Sequence, residues 1–99
     1  MPQILEETIR ELGFKSLEDF LSLKVIEELE KKIQCFQKEI SELEKKYGMT
    51  FPTFKATYLT SQSEEDFIKS DDGAEWEWNL FAIESSRKKI ETIKNARNH

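Results

Sequence analysis

Apolar side chains between Ser16 and Gly48 recur at alternating spacings of three and four residues. The members of this stripe are Ile26, Leu29, Ile33, Phe36, Ile40, Leu43 and Tyr47. Such spacing is the a/d pattern of three consecutive heptads, and it predicts a helix over residues 16–48 that packs against another helix. Ser16 is a favourable N-cap, and Gly48 stands where a glycine ends a helix. At about 1.5 Å per residue, the helix would be roughly 45 Å long, so we expect a second element beside it.

Residues 1–15 and 49–70 contain shorter helices. The first shows a stripe at spacings of four and three, ahead of a tight turn at Gly13; its members are Leu5, Ile9 and Leu12. The second is marked by Thr50, a capping residue, and by Pro52 in the first helical turn, and polar loops follow it. We expect the first helix to span residues 2–12 and the second to span residues 51–60.

Residues 71–99 form the second long helix, with an apolar stripe that we assign to Trp76, Leu80, Ile83 and Ile90. Residues 71–86 carry five acids and no base, whereas residues 87–99 carry five bases and one acid. Antiparallel placement sets this basic end against the acidic start of the first long helix. The sequence therefore predicts one all-α domain over residues 1–99. We expect a long antiparallel, coiled-coil-like helical hairpin with a short N-terminal helix and a short linking helix.

Composition limits the classes of function. The 99 residues carry a net charge of −5, which disfavours generic binding to nucleic acids. No apolar run approaches the length of a membrane span, and the basic start and apolar block of a signal peptide are missing. Cys35 is the only cysteine, so an internal disulfide is impossible and a reducing cytoplasm is the expected compartment.

No motif of enzymatic chemistry is evident. The only histidine is His99, the last residue, where packing and a second hydrogen bond would not hold it for catalysis. Neither a Cys–His zinc cluster nor a glycine-rich phosphate loop is present. We therefore expect a protein without catalytic residues, metal or cofactor.

The two tryptophans provide the strongest indication of a binding surface. Trp76 and Trp78 are two residues apart, which separates them by about 200° around a helix. If Trp76 packs against the long helix, Trp78 faces elsewhere together with Phe81, and these two are our candidate partner-binding residues. An intramolecular alternative remains open, in which that face is covered by Phe51, Phe54 and Phe67.

The run IRELGFKSLEDFLSLKVIEELEKK resembles the two helices of ribbon-helix-helix proteins. The shared features are a Gly-aromatic pair, a capping Ser and an acidic-aromatic-aliphatic group, here Gly13-Phe14, Ser16 and Asp19-Phe20-Leu21. Such proteins are often bacterial or archaeal antitoxins that also repress transcription, and the resemblance implies a possible homodimer through residues 4–29. The family reads DNA with a basic strand before the first helix. Only MPQI precedes Leu5 here, so we expect no sequence-specific DNA binding by that route.

A second resemblance covers residues 45–84. The combination of KKYGMTFPTF, an acidic loop and WEWNLFAIE is similar to small helical prokaryotic proteins of toxin–antitoxin operons. Both resemblances imply a non-enzymatic antitoxin that neutralises a cognate toxin by helix-mediated surface contact. Two alternatives stay open: a structural or adaptor coiled coil that forms homo-oligomers, and a DNA-binding transcriptional regulator.

Overall fold

The computed structural model describes residues 2–61 and 70–97, which form an elongated helical hairpin with principal-axis extents of 63 × 24 × 20 Å. The helices of this described part are α1 (Gln3–Glu11), α2 (Leu17–Tyr47), α3 (Phe51–Ser61) and α4 (Asp71–Arg97). The two long helices, α2 and α4, pack against each other in antiparallel orientation. Ion pairs join the end of each helix to the start of the other. The predicted fold class, with its short N-terminal and linking helices, is confirmed.

Both ends of α2 are formed by the residues that the sequence indicated. The Ser16 hydroxyl accepts a hydrogen bond from the Asp19 backbone N–H at 3.0 Å, which satisfies one of the free donors of the first turn. The Asp19 carboxylate in turn accepts one from the backbone N–H of Lys15 at 3.3 Å. Gly48 has φ +67° and donates to the Glu44 carbonyl at 2.7 Å. This left-handed conformation favours glycine and ends the helix.

A tight turn joins α1 to α2. Gly13 has φ +100°, and the backbone N–H of Phe14 returns to the Ile9 carbonyl at 3.2 Å. The Phe14 ring packs edge-on against Phe20 of α2, with centroids 5.1 Å apart. Ile9 is the buried residue of α1 at 3% exposure, whereas Leu5 and Leu12 of the predicted stripe are exposed. Helix α1 therefore has one buried side chain and leaves apolar surface exposed.

The core consists of two clusters along the hairpin. The isoleucine cluster contains Ile26, Ile33, Ile83 and Ile90, with Leu29, Phe36, Ile40 and Ile93 packed around it. The aromatic cluster, nearer the loop end, is built on Leu43, Phe54 and Trp76, and Ile40, Tyr47, Met49, Phe51, Tyr58 and Leu59 pack against it. All seven positions of the predicted α2 stripe lie in these clusters, and partly buried Ile40 belongs to both.

One member of the predicted α4 stripe was assigned wrongly. Leu80 is 38% exposed, whereas Asn79 and Ser86 are buried at 1% and 7%. The buried stripe of α4 keeps strict three–four spacing through Trp76, Asn79, Ile83, Ser86 and Ile90, and partly buried Ile93 continues it. Our assignment followed the most apolar residue, and the four–three spacing through Leu80 fits the heptad pattern as well as the three–four spacing through Asn79, so the spacing alone does not decide between them. Two polar side chains are thus built into the contact between the long helices.

The buried Asn79 has a measurable consequence for stability. Within the described residues its Nδ2 atom has no hydrogen-bond partner, and burying such a group costs about 1–3 kcal/mol. We expect Asn79→Leu to raise the free energy of unfolding by at least about 1 kcal/mol, measured by urea denaturation. Asn95→Leu, at an exposed position of the same helix, is the control and should change stability by less than about 0.5 kcal/mol. Equal stability of Asn79→Leu and the native chain would contradict this assignment.

Candidate protein-interaction surface

An exposed aromatic pair stands on α4. Trp78 is 59% exposed and Phe81 is 60% exposed, and their ring centroids lie 5.8 Å apart with an interplanar angle of 34°. Because Trp78 and Phe81 are three residues apart, both rings lie on the same side of the helix, away from the buried stripe. The rings therefore contact each other while most of their surface faces solvent.

Trp76 lies in a contrasting environment two residues earlier. It is fully buried, with its ring centroid 6.1 Å from Tyr47, 5.6 Å from Phe51 and 5.1 Å from Phe54. The phenylalanines of α3 thus pack on Trp76, and they leave Trp78 mostly uncovered. Phe67, the third residue of the intramolecular alternative, lies outside the described residues. The structure places the two tryptophans on different faces, as the spacing indicated.

The aromatic pair adjoins a shallow groove along one side of the hairpin, of about 750 Å³. Its lining includes Val25 and Leu29 of α2 and Phe81, Ser85, Thr92 and Ile93 of α4. Phe81 also lines a smaller hollow with Trp78, and Val25 lines another with Leu21. These shared residues connect the exposed apolar side chains into one surface of the kind that marks interaction sites.

Sequence reasoning identified the aromatic pair but missed the α2 half of this surface. Val25 is 46% exposed and Leu21 is 50% exposed. With Ile26 at heptad position a, Val25 occupies position g, where coiled coils usually carry a charged residue. An aliphatic residue at that position is the signal in the sequence for a second apolar face on α2.

Ion pairs fasten both ends of the hairpin. At the open end, Arg97 donates to the Asp19 carboxylate from its Nη2 and Nε atoms at 2.6 and 3.1 Å. The hydrogen bond from Arg97 lowers the pKa of Asp19 below its ordinary value. The basic end of α4 thus meets the acidic start of α2, as the charge pattern indicated.

At the loop end, Lys46 Nζ lies 2.7 Å from the Asp72 carboxylate, which also accepts a hydrogen bond from the Tyr47 hydroxyl. Lys46 first, and Tyr47 second, lower the pKa of Asp72. The hydrogen bond to Asp72 raises the pKa of Tyr47. Antiparallel placement predicts that Glu75 and Glu77 meet Lys45 and Lys46. The structure instead pairs Lys46 with Asp72 and sets Glu77 3.9 Å from Lys55 of α3. Lys46, Tyr47 and Asp72 thus form a clamp between α2 and α4.

The lowered pKa of Asp72 gives stability a specific pH dependence. Because the folded-state pKa lies below the ordinary 3.8, this carboxylate contributes stability above that pH, and the contribution is lost as the pH falls through the folded value. The native chain should exceed Asp72→Asn in stability at pH 7, and the difference should narrow below about pH 3.8. Urea denaturation across that range measures it, with Asp71→Asn at an exposed neighbouring position as control. A constant difference at every pH would contradict the clamp.

The described residues contain no group of three or more His, Cys, Asp or Glu side chains placed to hold a metal ion. His99 lies outside these residues. Among the helices that the structure describes, none has the length and apolar character needed to cross a membrane. The exposed apolar surface is the candidate functional site that the geometry supports.

Comparisons of the chain with protein-family models, with curated proteins and with solved structures give no match. The interpretation of the surface therefore depends on its own geometry and on the sequence resemblances.

Proposed function

We propose that the chain is a non-enzymatic protein-binding protein, most concretely an antitoxin that neutralises a cognate toxin by covering part of the toxin's surface. The observation that supports binding is the exposed Trp78–Phe81 pair on α4. Tryptophan is enriched among the residues that dominate binding energies, and its burial on association removes a large apolar area from water.

The geometry suits contact through a helix face. Trp78 and Phe81 are held on α4, which is fixed to α2 along the isoleucine cluster and by an ion pair at each end. A rigid support lowers the conformational entropy that the side chains lose on binding. The pair can thus enter an apolar pocket of a partner in the manner of helix-in-groove recognition. The choice of a toxin as partner rests on the two sequence resemblances.

A structural or adaptor protein that forms homo-oligomers is the second candidate. The exposure of Ile4 on α1 at 69% and of its C-cap Leu12 at 67% favours it, because these apolar side chains are mostly uncovered within the described chain. The third candidate, a transcriptional regulator, predicts sequence-specific duplex binding at nanomolar concentration in a gel-shift assay. The antitoxin proposal expects at most nonspecific binding at physiological salt.

The test titrates the purified chain with the protein encoded by the adjacent gene, using calorimetry. Trp78→Ala should weaken binding by at least about 2 kcal/mol, the scale of a hot spot. Leu80→Ala is the matched control, since it truncates an exposed apolar residue that lies about 200° from Trp78 around α4. This variant should retain native affinity.

Equal losses from Trp78→Ala and Leu80→Ala would remove the aromatic pair from the proposal. Absence of binding by the native chain would remove the toxin as partner. A second readout is co-expression: the native chain should suppress growth arrest by the neighbouring protein, and Trp78→Ala should suppress it less.

A further inference from the structure

Exposed apolar side chains concentrate near one end of the hairpin. Eight large hydrophobic residues of the described chain are exposed, and five of them lie on α1, at its C-cap and on the first turns of α2: Ile4, Leu5, Leu12, Leu21 and Val25. The same end carries the Asp19–Arg97 ion pair. Apolar surface gathered on neighbouring elements marks an interface, whereas single exposed residues scattered over a surface do not.

Helix α1 has the properties of a ligand helix. Its single buried residue, Ile9, holds it to the chain, while Ile4 and Leu12 project into solvent at 69% and 67% exposure. Its nine residues make it about 14 Å long. It carries three acids and one base, and within the described chain Glu6 and Glu11 have no ion pair. The helix therefore presents an apolar face beside uncompensated negative charge.

The groove between α2 and α4 has matching properties. From Phe81 to Thr92 it follows α4 for about 16 Å, close to the length of α1. Four lysines and two glutamates line it and the adjoining hollow on α2: Lys24, Glu28, Lys32, Glu84, Lys88 and Lys89. Among the described residues, Lys32 and Lys89 form no ion pair. The groove is thus apolar at its base and positive at its rim, although the whole chain carries −5.

We propose that the groove of one copy receives α1 of a second copy, and that α1 of the first copy enters the groove of the second. This reciprocal docking is called the exchange below. The occupant is an acidic amphipathic helix, and α1 supplies the length, the exposed apolar residues and the charge that the groove requires. A two-fold arrangement pairs the same surfaces on both copies. It buries Ile4 and Leu12 against Val25, Leu29 and the α4 wall. The exchange and the proposed function share Phe81, which lines the groove, and they are distinguished at Trp78, which lies outside the groove lining.

Sedimentation equilibrium of the full chain tests the exchange. The native chain should form dimers, and Leu12→Asp should raise the dimer dissociation constant at least tenfold because a charge would enter the apolar groove. Leu80→Asp places the same charge on an exposed residue away from both surfaces and should dimerise like the native chain. Circular dichroism confirms that each variant is folded. A monomeric native chain, or equal effects of the two substitutions, overturns the proposal.

Variants with reversed charges provide a second, independent measurement. Reversing the acids of α1 in Glu6→Lys/Glu11→Lys should weaken dimerisation, and so should Lys32→Glu/Lys89→Glu in the groove. The chain that carries all four substitutions should recover at least part of the affinity, because opposite charges face each other again. Additive losses in the fourfold variant overturn the pairing of α1 with the groove. Loss of dimerisation with retained Trp78-dependent partner binding would leave the proposed function standing, and the reverse result would leave the exchange standing.

Discussion

Replacing Trp76 with Ala should lower the free energy of unfolding by about 3–5 kcal/mol, the usual range for removal of a buried large aromatic side chain. Trp76 has no exposed surface, and it packs between Tyr47 of α2 and Phe51 and Phe54 of α3. Its loss would open a cavity where three helices meet. Urea denaturation followed by circular dichroism measures the change.

Trp78→Ala is the matched control, since it removes the same side chain two residues away on the same helix. Because Trp78 is 59% exposed, this substitution should alter stability by less than about 0.5–1 kcal/mol. If Trp78→Ala destabilised the chain as strongly as Trp76→Ala, Trp78 would be a core residue. The aromatic pair would then no longer indicate a partner.

The fold follows from the sequence to a large extent because α2 is under two strong local constraints. Its stripe repeats without interruption, and Ser16 and Gly48 define its ends. The orientation of α4 follows from charge, since only antiparallel packing brings Arg97 to Asp19 and Lys46 to Asp72. Each feature depends on residues that are close in sequence or on charge blocks that extend over many residues.

The α4 stripe shows where such reasoning fails. Asn79 is buried at 1%, whereas Leu80 is 38% exposed. Hydrophobicity alone favours Leu80. Adjacent residues on a helix point about 100° apart, so burying position 79 instead of position 80 changes which side of α4 faces α2. Trp76, Ile83 and Ile90 belong to both possible stripes, so the packing of α4 on α2 decides which of positions 79 and 80 is buried.

The interaction surface was predictable only in part, for a related reason. The spacing of Trp76 and Trp78 shows that both cannot share one stripe, and this identified the exposed pair. The groove depends instead on which residues of α2 lie beside α4, and this requires the register between the two long helices. Register is a property of the folded hairpin, so Val25 and Leu29 become neighbours of Thr92 only in the structure.

Replacing Ile33 with Asp should destabilise the hairpin by at least about 3 kcal/mol, because an unpaired carboxylate would enter an apolar contact. Ile33 is 9% exposed and belongs to the isoleucine cluster with Ile26, Ile83 and Ile90. Gln34→Asp introduces the same charge at the adjacent exposed position and should change stability by less than about 0.5 kcal/mol.

The two variants should therefore separate widely in their urea midpoints at neutral pH, and the difference should shrink at low pH. Protonation removes the charge of the introduced carboxyl, so part of the stability of Ile33→Asp should return relative to Gln34→Asp as the solution is acidified. A change below about 0.5 kcal/mol for Ile33→Asp would mean that the heptad stripe of α2 does not hold the hairpin together. The orientation of α4, and with it the exposure of Trp78, would then lack its structural basis, since both depend on that contact.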